Sequence, residues 1–149
     1  MSRERAKRLS PLVKIAENAV QEALTYLGSL KQRIEEEKKK GETLKQYQLE
    51  YQQSFSSQGA QGVTGSQIQQ HQAFIAQIDQ VLADQKFQIS ELQQQYDKAH
   101  EIYLSLNRKL KTYEKLETRL TSQAEAQENS QLQKFLDEMS AQIHRRNIG

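Results

Sequence analysis

The chain has 149 residues, 36% of them hydrophobic and 7% aromatic, and its mean hydropathy of −0.88 leaves a thin apolar seam rather than a globular core. One proline, six glycines, no tryptophan and no strand signal place it with long-helix proteins. A net charge of +2 is too small for a general nucleic-acid binder, and the absence of cysteine excludes disulfides, thiolate nucleophiles and sulfur-ligated metal.

The first residues, MSRERAKRLSP, carry charge without a following apolar run, and no stretch of about 18 apolar residues occurs. The expectation is a soluble protein, suited to the cytoplasm, whose membrane contact, if any, is peripheral.

The first predicted element is a helix over 10–56. From Leu9, steps of four and three fall on Val13, Ala16, Val20, Ala23, Leu27, Leu30, Ile34, Glu37, Gly41, Leu44, Gln48, Tyr51 and Phe55, an unslipped heptad seam. Ser10 and Pro11 supply a helix start, because serine caps orphan amides and proline at the first helical position gives up an N–H that had no partner. Gly41 costs about 1 kcal/mol relative to alanine in a helix interior. The register nevertheless continues through Leu44, Tyr51 and Phe55, so one helix is expected.

A turn is predicted over 57–66, where Gly59, Gly62 and Gly65 sit among small polar residues. Ser66 with Gln69 offers a capping box for a second helix over 67–127. Its seam runs Ile68, His71, Ile75, Ile78, Leu82, Gln85, Ile89, Leu92, Tyr96, Ala99, Tyr103, Leu106, Leu110, Tyr113, Glu117, Leu120 and Ala124. The two helices would be roughly 70 and 90 Å long.

Two long seams joined by a short turn predict an antiparallel hairpin. Setting a positions across from d positions allows two registers. One pairs residues whose numbers add to 126, setting Phe55 by His71, Gly41 by Gln85, Ile34 by Leu92, Ala23 by Tyr103 and Val13 by Tyr113; the other pairs numbers adding to 119. The first places the polar Gln85 in the space left by Gly41. After Ala124 the stretch EAQENS breaks the seam, and Ser130 with Gln133 caps a C-terminal helical segment over 130–146 with an apolar face of Leu132, Phe135, Leu136, Met139 and Ile143, either a short amphipathic helix or one that orders on a partner. The fold class is therefore all-α: a single elongated domain over 1–149, a long two-helix coiled-coil hairpin with a short C-terminal amphipathic helix.

Catalysis has little to stand on. No Gly-rich phosphate loop and no G-x-S-x-G motif occur, and HEIYL from His100 lacks the second histidine of a zinc-protease helix. His71 reads as a polar seam residue and His100 and His144 as solvated ones, so no catalytic residue, metal site or cofactor is expected. A bare hairpin also lacks a concave pocket in which to desolvate a substrate. What remains is surface: Tyr47 and Phe74 each sit one residue off the seam and are candidates for an apolar patch beside the turn.

The sequences YQLEY, QGVTG and HQAFIAQIDQVL, set in two heptad helices, resemble the flagellar export protein FliJ family, a component of the bacterial flagellar type III secretion apparatus. The specific part of the likeness spans about Leu44 to Gln85. The resemblance implies a non-catalytic coiled coil, similar to the central stalk of rotary ATPases, that inserts its terminal end into the hexameric ring of the flagellar export ATPase and promotes its assembly. It further implies contact with the large membrane protein of the export gate and escort of export chaperones. Carried over by position, the gate-binding surface comprises Leu44, Tyr47, Tyr51, Phe74, Ile78, Val81 and Gln85. Gln85 stands where the family leads one to expect a histidine, so no histidine-specific contact is implied there.

For the ATPase ring, the surface is Arg5, Lys7, Arg8, Val13, Lys109 and Tyr113. Both chain ends lie at the open end of a hairpin, which gathers Arg3, Arg5, Lys7 and Arg8 near Lys109, Lys111, Lys115 and Arg119 to meet acidic residues of a ring. A generic cytoplasmic coiled-coil tether explains the seams equally well. Nucleic-acid binding would rest on the basic tip and interleaved tyrosines, but Glu4, Glu114 and Glu117 interrupt the patch, and no nucleic-acid partner is expected.

Overall fold

The structure, a computed structural model, describes residues 2–148, the side chain of Ile148 excepted. It consists of two α-helices, α1 (Ser2–Gly59) and α2 (Gly65–Ile148), packed against each other as a helical hairpin. The described residues include no strand. Burial follows the predicted seam: along α1 every position from Val13 to Phe55 in the alternating steps is buried or half-buried, and along α2 the same holds from His71 to Ala124. Ile68 is the exception, since it remains exposed just after the turn.

Contacts divide the chain into two units, one over Ala23–Ile102 and one formed by 2–22 with 103–148. The core of the turn-side unit is built from Leu27, Leu30, Ile34, Ile78, Leu92 and Ala99, with Leu30 only 1% exposed. Gly41 packs against Gln85 and the Phe55 ring against His71, with ring centroids 3.8 Å apart. Both pairs have numbers adding to 126, which settles the register of this unit; the alternative would bring Gly41 to Ile78 and Phe55 to Thr64. In the terminal unit Val13, Val20 and Leu110 form the core, with Ala16, Tyr103, Leu106 and Tyr113 packed around them.

The element boundaries correct the sequence reading in three places. First, α1 begins at Ser2, not Ser10, and carries Pro11 inside it. Proline there deprives the Lys7 carbonyl of its donor, but Lys7, Ser10 and Pro11 are all exposed, so that carbonyl is open to solvent. Meanwhile Ala6, one seam step before Leu9, is buried. The seam thus extends a further turn toward the N-terminus.

Second, α1 runs on to Gly59 and the turn narrows to 60–64. The Gly62 amide closes onto the Gly59 carbonyl at 3.1 Å, and Gly62 has φ +98°, a conformation that favours glycine. The capping box is Thr64 with Gln67, not Ser66 with Gln69. Thr64 Oγ1 accepts from the Gln67 amide at 3.1 Å, and Gln67 Oε1 accepts from the Thr64 amide at 2.8 Å. Both frames fit the motif; the earlier one sits against the turn.

Third, the C-terminal segment is not a separate helix. α2 passes through EAQENS unbroken to Ile148. That stretch contains neither glycine nor proline, so loss of the seam there marks loss of a partner helix and not loss of helix.

Candidate functional site

Beside the turn, five rings form a ladder across the two helices. His71 stacks on Phe55 and also on Tyr51, at 5.2 Å and 11°. Phe74 leans on Tyr51 at 4.4 Å and meets Tyr47 edge-on at 6.4 Å. The recurrence of aromatics every four residues from Tyr47 to Phe55 places one ring per helical turn on α1, while His71 and Phe74 supply the facing rings from α2. His71 Nδ1 is buried without a hydrogen-bond partner, so the imidazole is held by stacking. Just beyond the ladder, Gln48 Nε2 donates to Asp79 Oδ1 across the pair at 2.8 Å.

The seven residues assigned to the gate surface separate by depth. Ile78 is 5% exposed and belongs to the core, while Leu44, Tyr51, Phe74 and Gln85 are half-buried. Tyr47 and Val81 remain outside at 55% and 53% exposure. They belong to a groove of about 560 Å³ together with Leu44, Gln85, Lys39, Lys40 and Thr43. Phe74, expected to point sideways from the seam, is instead half-covered, because its ring finds Tyr51.

Gln85 anchors the floor of this region. Its Nε2 donates to the Glu37 carbonyl at 2.6 Å and lies 3.3 Å from Glu37 Oε2, while its Oε1 occupies the space above Gly41. The Gln85 amide, and next the Lys40 ammonium, hold the Glu37 carboxyl below the usual carboxylate range.

In the terminal unit, Arg3 grips Glu128 with a two-pronged ion pair, Nε to Oε1 at 2.7 Å and Nη2 to Oε2 at 3.0 Å. This hydrogen bonding raises the Arg3 pKa and lowers that of Glu128. Arg3 is therefore matched by a carboxylate, whereas Arg5, Lys7, Arg8 and Lys109 are exposed. Val13 is 8% exposed and Tyr113 packs against the cluster containing it, so these two hold the unit together. Only the cationic members of the set assigned to the ATPase ring reach the surface freely.

The C-terminal part of α2 carries a further apolar face. From residue 125 to 147 every described side chain of α2 is exposed. Leu132, Phe135, Leu136, Met139 and Ile143 lie there on one face, between 44% and 57% exposed.

None of the described helices is long and apolar enough to cross a membrane, and the described residues hold no cluster of three or more potential metal-ligating side chains.

Comparison with known proteins adds a family. The family model described as flagellar FliJ protein matches residues 5–149. The chain is similar to the flagellar FliJ protein of Escherichia coli (strain K12), 25% identical over 132 residues that cover 89% of this chain and 90% of the relative. No solved structure matches it.

Proposed function

Because the chain belongs to the FliJ family and is thus a component of bacterial flagellar protein export, we propose that it is a non-catalytic coupling element with two separate binding ends. The face beside the turn contacts the large membrane protein of the export gate. The terminal unit binds the hexameric export ATPase and promotes ring assembly, and the protein escorts export chaperones at the cytoplasmic face of the inner membrane.

The observation that carries this reading is the exposure of Val81 and of Tyr47, the outermost ring of the aromatic ladder. Both are large apolar side chains left in water at neighbouring positions, and neither is a position of the seam that the two helices cover. On the terminal unit the support is electrostatic. Arg5, Lys7, Arg8 and Lys109 are exposed cations on one unit, suited to an acidic lining.

The experiment measures gate binding and ATPase stimulation on the same proteins, with circular dichroism as the control for folding. Replacing Tyr47 and Val81 with alanine should weaken gate binding more than tenfold, since a buried interface aromatic is worth about 2 kcal/mol or more. ATPase stimulation should persist. Reversing Arg5, Lys7 and Arg8 to glutamate should do the opposite, and most strongly at low ionic strength. Loss of both activities in both variants, with helicity intact, sinks the division into two ends.

A further inference from the structure

We infer that the groove formed by Lys39, Lys40, Leu44, Tyr47, Val81 and Gln85 receives a short acidic segment of the partner protein, with an apolar side chain on Tyr47 and Val81 and carboxylates against Lys39 and Lys40. The inference rests on the proposed gate contact and names the chemistry of the surface that makes it.

The groove has an apolar floor and a cationic edge. Leu44, Tyr47 and Val81 supply the floor, and no carboxylate lines it. Lys39 is exposed, and the Lys40 side chain is 70% exposed. Lys40 reaches Glu37 Oε1 at 3.3 Å, a surface pair of little strength that leaves two of its three donors available. Glu37 Oε2, in turn, lies by the Gln85 amide, so that carboxylate is shared between the amide and Lys40 and does not reach Lys39 with an ion pair. The amide of Gln85 is likewise committed, which leaves the lysines as the groove's charged contacts for a ligand.

The immediate neighbourhood argues for a narrow protein segment and against a flat anionic membrane. On the other flank of Tyr47 lies a second depression lined by Glu42, Thr43, Gln46 and Glu50. A planar anionic surface resting on Tyr47 would meet those two glutamates at the same time as the lysines. A single segment lying in the lysine groove avoids them, and a cationic residue beyond Tyr47 on the partner would match them.

The test uses the full chain and, as the probe, the purified cytoplasmic part of the export gate's large membrane protein, with binding measured by calorimetry from roughly 50 to 300 mM NaCl. The wild type should weaken as salt rises. Lys39→Glu with Lys40→Glu should lose about tenfold or more in affinity at low salt and show a flatter salt dependence, and Lys39→Gln with Lys40→Gln should fall between. Circular dichroism accompanies each; if the glutamate pair unfolds, the glutamine pair carries the test. Lysine variants that bind like the wild type, while Tyr47→Ala still weakens binding, overturn the acidic segment and leave the gate contact standing. If Tyr47→Ala and Val81→Ala are also without effect, the gate contact falls and this inference with it. Phosphatidylglycerol vesicles form the third arm: vesicle binding that the lysine variants lose, with gate binding unchanged, reassigns the groove to lipid and overturns the proposal.

Discussion

The side chain of Gln85 fills the place that a methyl group on Gly41 would take, its Oε1 lying 2.5 Å from where that Cβ would stand. An alanine at 41 gains about 1 kcal/mol of helix propensity. It also pushes the amide off the Glu37 carbonyl, and a hydrogen bond lost from a partly buried group costs about as much. Gly41→Ala should therefore be nearly neutral in the wild type, yet stabilising by about 1 kcal/mol in a Gln85→Ala background. A double-mutant cycle from urea unfolding measures the coupling, and a sum of the two single effects equal to the double would show that Gln85 does not depend on the glycine.

The register gives a second prediction. Cysteines at Ile34 and Leu92, both buried and with numbers adding to 126, should crosslink within one chain. Cysteines at Ile34 and Gln85, which the 119 register would bring together, should not. Mass spectrometry of the oxidised monomer distinguishes the two, and the reverse pattern would mean a shifted hairpin.

Burial depth gives the third. Leu30 is 1% exposed, so Leu30→Ala should cost about 2 to 5 kcal/mol. Leu136, 49% exposed on the unpaired end of α2, should tolerate alanine within about 0.5 kcal/mol. Denaturant midpoints compare them directly. Equal losses would show that the last turns of α2 are packed after all.

Acid titration provides the fourth. The folded pKa values of Glu37 and Glu128 lie below their ordinary value of 4.5, the first through Gln85 and Lys40 and the second through Arg3. A depressed carboxyl contributes stability that is present above the unfolded value and is lost as pH falls through the folded one. The advantage of the wild type over Glu37→Gln and over Glu128→Gln should thus be constant near neutrality and shrink below about pH 4.5. Melting curves from pH 7 downward test it; an advantage that grows on acidification would reverse the sign of both assignments.

Much of the fold could be read from spacing alone, because a heptad seam states which residues are covered. The seam from Val13 to Phe55 reappears as the burial pattern of α1. What the spacing did not convey was where helix continues without a partner. Pro11 and EAQENS look like boundaries when helix and seam are taken as one property, and they are distinct: Pro11 lies on an exposed face, and 125–147 stays helical with its side chains exposed. The site was legible in part. Tyr47 and Val81 emerged as surface residues, whereas Phe74 turned inward, since one position off the seam leaves a large ring free to lean either way and only the facing Tyr51 decides. The pairing of Arg3 with Glu128 joins residues 125 apart, beyond any local pattern.

That separation bears on how the molecule assembles. Cross-helix contacts span 31 residues at Gln48 and Asp79, 48 at Glu37 and Gln85, and 125 at Arg3 and Glu128. Loop closure is paid once, at the turn, and each later layer closes only the few residues beyond the last, so pairing outward from Gly62 is the order of least entropic cost. A chain emerging from the ribosome presents its half of the seam first and must wait for residues past His71 before any of it is covered. During synthesis α1 thus presents an uncovered apolar stripe, and the three consecutive lysines Lys38, Lys39 and Lys40 along it are charges of the kind that oppose association of such stripes.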